Sequence, residues 1–136
     1  VNMGANVGVD VLHSGTVAPA ALAASLFGVP TAAFSQAMPA EIEGDFEEMN
    51  KRSHYVASEK FIPKILAQHT WGPGECLNVN FPLGVPRGYK KVPPAGYSRW
   101  LPGMALEDSN RDIPMLNDGF ITISDIELST SPSTRF

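Results

Sequence analysis

Ser14, Gly15 and Thr16 stand directly ahead of an Ala- and Leu-rich stretch, with Asn2 and Asn6 a few residues upstream. These residue types suit one kind of chemistry, the holding of a phosphate beside a cation. The start of a helix presents unpaired N–H groups and a partial positive charge, which attract anions. Ser14 and Thr16 add hydroxyl donors, and Gly15 lets the backbone approach an anion with no side chain in the way. Asn2 and Asn6 bring amide oxygens acceptable to a hard divalent cation, and amide N–H donors for phosphate. The spacing is neither Walker A nor the dinucleotide fingerprint, because Gly4-x-x-x-Gly8 lacks both the Lys and the G-x-G start. A loop rich in Gly and Asn before a helix is also ordinary turn-and-cap chemistry. The residues alone leave both readings open.

The elements that must position these groups follow from the pattern. Asn2 to Gly15 holds three glycines and two asparagines and reads as a loop. Val17 to Phe27 reads as a helix, with Thr16 or Ser14 near its N-cap, Pro19 in its first turn and Gly28 as its C-cap. Thr31 to Ser35 reads as a buried strand, and Pro39 to Asn50 as an acidic surface connection. From Ser53 to His69 apolar residues recur at helical spacing, with Pro63 expected to kink or restart the helix. Trp71 to Gly74 is a turn, and Cys76 to Phe81 alternates as a strand does before Pro82 ends it. Residues 83–118 form a Pro- and Gly-rich excursion with little periodicity, and Gly119 to Ser124 reads as a further strand. The polar tail from Ser129 is expected to fray. Helix, strand, helix, strand in this order implies an α/β sandwich with a largely parallel sheet. Such sheets bind ligands at the carboxyl ends of their strands, and the Asn2–Thr16 segment leads into the first helix at such a place.

Composition narrows the partners. The chain has 136 residues, 43% of them hydrophobic, and a net charge of −4. Without a Lys/Arg cluster it offers no footprint for a nucleic-acid polymer. It has no apolar run long enough for a membrane span and no leader pattern at its start. One cysteine, Cys76, excludes an internal disulfide and fits a reducing, cytoplasmic compartment. Because the chain begins with Val1 and its densest motif starts at once, a portion of a longer protein is expected.

Positions 1 to 17, Val-Asn-Met-Gly-Ala-Asn-Val-Gly-Val-Asp-Val-Leu-His-Ser-Gly-Thr-Val, resemble the signature of the SurE survival-protein family. Every fixed position present matches, and the signature's leading Ser-Gly falls before Val1. Further likenesses are Gly28-Val-Pro30, Leu77-Asn-Val-Asn-Phe-Pro82 and Asp118-Gly-Phe-Ile-Thr-Ile-Ser124. The resemblance implies a doubly wound, Rossmann-like three-layer sandwich, with residues 1–136 as the C-terminal part of a single α/β domain. It implies a divalent-metal-dependent nucleotidase, using Mg²⁺, Mn²⁺ or a similar ion, that removes the 5′ or 3′ phosphate from nucleoside monophosphates. A homo-oligomer is implied as well. Asn2 falls at the place of the family's metal-binding asparagine. Gly4, Asn6, Ser14, Gly15 and Thr16 fall where substrate is bound, and Asn6, Ser14 and Thr16 are the candidates for a part in catalysis. Two adjacent aspartates and an early serine complete the family's metal site and have no counterpart here.

The chain departs from the family pattern in two places. Ala20 to Ala24 replaces Met/Leu-Glu-Gly after Ser-Gly-Thr-Val, and the span from Tyr89 to Asp118 is shorter than usual. The family uses that span for a protruding hairpin and subunit exchange, so the shortening bears on oligomeric form. The missing aspartates motivate an alternative, an inactive relative that serves as a binding or assembly domain. A serine hydrolase built on Asp10, His13 and Ser14 is a weaker reading, since residues so close in sequence rarely converge as a triad. Bland roles are expected for the rest: His13 on a pocket wall, His54 at the surface, His69 at a helix end and Cys76 in packing. Tyr97 and Trp100 are candidates for stacking on a nucleobase or for packing.

Overall fold

Cys76–Phe81 alternates in type, yet all six residues are buried, which marks it as the centre of a sheet covered on both faces. The structure, a computed structural model, describes residues 1–42, 44–45, 47–48, 56–95 and 109–128, and the side chains from residue 58 on in the second helix. Its elements in chain order are β1 (Asn2–Met3), a 3₁₀ helix (Gly8–His13), α1 (Val17–Phe27), β2 (Thr31–Gln36) and α2 (Val56–Gln68). They continue as β3 (Cys76–Phe81), β4 (Tyr89–Lys91), α3 (Asp112–Asn117) and β5 (Ile121–Asp125).

The five strands form one sheet in the order β1-β2-β3-β5-β4. Three of the four pairings are parallel, and only β3 against β5 is antiparallel. The expected α/β architecture with a largely parallel sheet is what the chain adopts. Leu77, Val79 and Phe81 point to one face, where they cluster with Ile121 and with Ile65 of α2. All three are fully buried, each adding about 1.5–3 kcal/mol of apolar transfer. Cys76 points to the other face, against Ala21 and Ala24 of α1. Ala33 of β2 packs there against Val11 and Val17. Helices thus cover both faces, giving three layers.

Helix α1 lets its small residues approach the sheet closely, and Gly28 ends it at φ 65, a left-handed conformation that side-chain-bearing residues rarely adopt. Helix α2 runs unbroken through Pro63, against the expected kink or restart. Proline removes one N–H and so strips the Glu59 carbonyl of its helical partner, but both residues are exposed, so that carbonyl is not sealed in the core. Two elements lie inside the Pro- and Gly-rich excursion whose sequence showed little periodicity, β4 and α3. The expected loop before α1 is also more regular, since the 3₁₀ helix occupies six of its residues. The acids expected on a solvated face are exposed or half-buried where described. His54, Tyr97, Trp100 and the tail from Ser129 lie outside the described residues.

Candidate phosphate and metal site

The Asn2–Thr16 segment crosses the carboxyl ends of three parallel strands. Strand β1 ends at Met3, and the Gly4 N–H extends the pairing to the Gln36 carbonyl, 2.8 Å away at the end of β2. Asn6 then lies over the penultimate residues of its neighbours. Its Nδ2 donates to Ser35 Oγ of β2 at 2.8 Å, and its backbone N–H donates to Asn80 Oδ1 of β3 at 2.7 Å. The Asn6 carbonyl accepts from Asn78 Nδ2 at 2.7 Å and from Asn80 Nδ2 at 2.9 Å. Asn80 therefore meets both backbone groups of Asn6, as a neighbouring strand would. The amide orientations follow from these partners.

Two residues on, Gly8 takes φ 59, and its N–H donates to Asp112 Oδ2 at 2.8 Å. Asp112 is fully buried in the first turn of α3. Its Oδ1 accepts from the N–H groups of Ala95 and Ile113, both at 2.8 Å. Desolvation raises the carboxyl's pKa, outweighing the backbone N–H bonds that favour the charged form. The 3₁₀ helix between Gly8 and His13 then delivers Ser14 to the start of α1.

Ser14 is buried, and its Oγ accepts the N–H groups of Thr16 at 3.1 Å and Val17 at 3.0 Å. The N–H groups at this helix end are therefore partly satisfied by Ser14, not all unpaired as expected from sequence. The Ser14 hydroxyl proton remains to be donated. Gly15 beside it is exposed, and a Cβ there would meet nothing within 4 Å. Thr16 is half-buried, and its side chain makes no capping bond. Gly15 is thus an open position between one buried hydroxyl, Ser14, and one half-buried hydroxyl, Thr16.

Asn2 is half-buried at the other end of the segment. Its Nδ2 donates to the Gly4 carbonyl at 2.8 Å, which turns the amide so that Oδ1 is the atom left for a cation. One neutral oxygen suits a hard divalent ion but does not hold it alone. Among the described residues no group of three or more His, Cys, Asp or Glu could hold a metal. Asn2 fits the role of one ligand, and the described residues do not supply the carboxylates such an ion needs.

The other candidates separate from this site. His13 is exposed. His69 at the end of α2 pairs through Nε2 with Glu75 Oε1 at 2.8 Å and meets Trp71 edge-on. Cys76 is buried in packing as expected, and burial raises its thiol pKa. Asp10 is half-buried, with its Oδ2 unpaired among the described residues. Sequence reasoning gave no role to Ser35, Asn78, Asn80 or Asp112. Asn78 and Asn80 carried a usable signal, polar residues at alternate positions of a strand buried on both faces, whereas Ser35 stands in a strand without that alternation. Asp112, alone in a stretch without periodicity, carried none.

Comparison with known proteins sets this geometry in a family. The sequence profile described as Survival protein SurE matches residues 1–101. The chain is 30% identical over 146 residues to 5′-nucleotidase SurE 1 of Thermus thermophilus, covering 94% of this chain and 55% of that protein. It is 32% identical over 149 residues to 5′-nucleotidase SurE of Desulforamulus reducens, with the same two coverages of 94% and 55%. The chain thus spans about half the length of these relatives. Among solved structures, the SurE protein from Aquifex aeolicus superposes with a TM-score of 0.66 at 24% identity. That likeness covers 97% of this chain and 58% of the other and bears on the fold alone. On its sequence, the chain belongs to the SurE survival-protein family.

Proposed function

We propose that this chain is part of a metal-dependent phosphomonoesterase that removes the 5′ or 3′ phosphate from nucleoside monophosphates. The observation that supports this most is the course of the Asn2–Thr16 segment over the carboxyl ends of β1, β2 and β3, with an open Gly15 between two hydroxyl side chains. Relatives that bear the name 5′-nucleotidase support the substrate class. In this reading Gly4, Asn6, Ser14, Gly15 and Thr16 face the phosphate. The Ser14 and Thr16 hydroxyls donate to its oxygens, where fixed donors stabilise charge that builds up in the transition state. Asn6 holds the backbone in place through Ser35, Asn78 and Asn80, and the second N–H of its side-chain amide is the donor it could offer phosphate. A divalent ion with Asn2 Oδ1 among its ligands would supply Lewis-acid chemistry. Its carboxylate ligands would come from elsewhere in the whole protein, so the 136-residue chain by itself is expected to be inactive.

The test is a phosphatase assay on the whole protein with nucleoside monophosphates, in Mg²⁺ or Mn²⁺ and then in chelator. Phosphate release that stops in chelator and returns with metal is expected. No release from any nucleotide or from an aryl phosphate would refute the reading. Asn2→Ala should weaken metal affinity, and unchanged affinity would remove Asn2 from the site.

A further inference from the structure

One buried charge remains outside this chemistry. Asp112 sits in a short helix far along the sequence, yet its carboxylate reaches the middle of the candidate phosphate loop. We propose that Asp112 is a positioning residue for that loop. It would fix Gly8, and through Gly8 the Ser14–Thr16 turn, while tying both to the segment that follows β4. The proposal rests on the phosphatase reading for its kinetic consequence, and on geometry alone for the clamp.

The loop is held at two points with only Val7 between them. At Asn6 the clamp is neutral, made of the Asn78 and Asn80 amides. At Gly8 it is a carboxylate oxygen. Val7 is buried between them, in a cluster with Ala5, Ala95, Ile113 and Leu116. Gly8 opens the 3₁₀ helix that leads to Ser14, so its position sets where that helix begins. Its φ of 59 is open to glycine, as are many other conformations, so the residue does not hold this one by itself once its N–H is released.

The acceptor pattern explains why the residue is Asp and provides a clean test. Oδ1 takes two N–H groups, from Ala95 and Ile113, and Oδ2 takes one, from Gly8. All three partners are donors, which only a carboxylate satisfies with both oxygens. An Asn in its place would keep its oxygen on the two donors and turn its NH₂ toward the Gly8 N–H. The flipped amide would set a donor against two donors and lose more. Asp112→Asn thus breaks the contact to the loop and spares the contacts that anchor α3.

In the whole protein, Asp112→Asn is expected to raise KM for a nucleoside monophosphate, and the inhibition constant of inorganic phosphate, each about tenfold, and to lower kcat as the Ser14 and Thr16 donors lose their placement. Hydrogen exchange of the Gly8 amide should quicken about tenfold while the Ala95 amide and β3 keep their protection. A lower melting temperature with KM, the phosphate inhibition constant and Gly8 exchange unchanged would overturn the proposal, because a residue that only supports the fold gives that result. If Asp112→Asn does not fold, Asp112→Glu moves the oxygens by one methylene and is judged by the same three readouts. A wild-type protein without phosphatase activity would refute the nucleotidase reading alone. Gly8 exchange in the variant then decides the clamp, faster exchange supporting it and unchanged exchange overturning it.

Discussion

The two faces of β3 are built from alternate residues of one short strand, and they differ in almost every physical respect. Leu77, Val79 and Phe81 on one face meet apolar side chains of β5 and α2 and make a dry layer. Asn78 and Asn80 on the other face are as deeply buried, beside Ser35 of β2 and opposite Thr122 and Ser124 of β5. Burying amides without partners costs about 1–3 kcal/mol each. Here Asn80 recovers that cost by bonding to the backbone of Asn6. The recovery is incomplete, since Asn78 Oδ1 and Thr122 Oγ1 find no partner among the described residues. The apolar face therefore carries most of the stability. The polar face gives up some of it to hold a loop in one shape.

That division of labour can be broken by substitution. Phe81→Ala should produce the largest effect, a loss of about 3–5 kcal/mol in urea unfolding, with loop amide exchange unchanged below the transition. Asn80→Ala should cost less, about 1–3 kcal/mol, but should speed exchange at Asn6 and Gly8 far more than Phe81→Ala does. Equal exchange in the two variants would end the distinction between the faces. Ser14→Ala removes the oxygen that accepts the Thr16 and Val17 N–H groups and should cost about 1 kcal/mol. It should also weaken phosphate binding, and a loss of stability alone would make Ser14 a helix cap and nothing more.

The smallest effect is expected well away from the site. Glu75 accepts the Gly72 N–H at 2.9 Å and pairs with His69, and these contacts, the backbone bond foremost, hold its pKa below the ordinary carboxylate value. Its contribution to stability is therefore fully present above the unfolded-state value of about 4.3 and is lost as pH falls through the lower folded value. Comparing urea midpoints at about pH 6 and about pH 3 should show a smaller acid loss in Glu75→Gln than in the unsubstituted protein. An equal loss would show that the Gly72 and His69 contacts do not govern this carboxyl.

Where local pattern and tertiary packing agreed, the fold was legible in the sequence. Val17–Phe27 was readable because a capping segment, an Ala-rich run and Gly28 all mark the same limits. Cys76–Phe81 was readable because it alternates and ends at Pro82. Strand β4 is three exposed residues that exist only because β5 lies beside them, so no period announces it. Helix α3 is six residues with Pro114 inside, too short for a helical stripe. Of the site, the residues near the first helix were legible because hydroxyls, amides and glycines cluster there. Their supports, Asn78, Asn80 and Asp112, come from distant parts of the chain and are set by pairing register and by the packing of α3.

The most direct test of the account is to map inorganic phosphate onto the Mg²⁺-loaded whole protein by amide chemical shifts. Saturable shifts centred on Gly4, Asn6, Gly15 and Thr16, with β4 and α2 silent, are the expected result. Shifts centred anywhere else, or no saturable shifts in this segment, would contradict it.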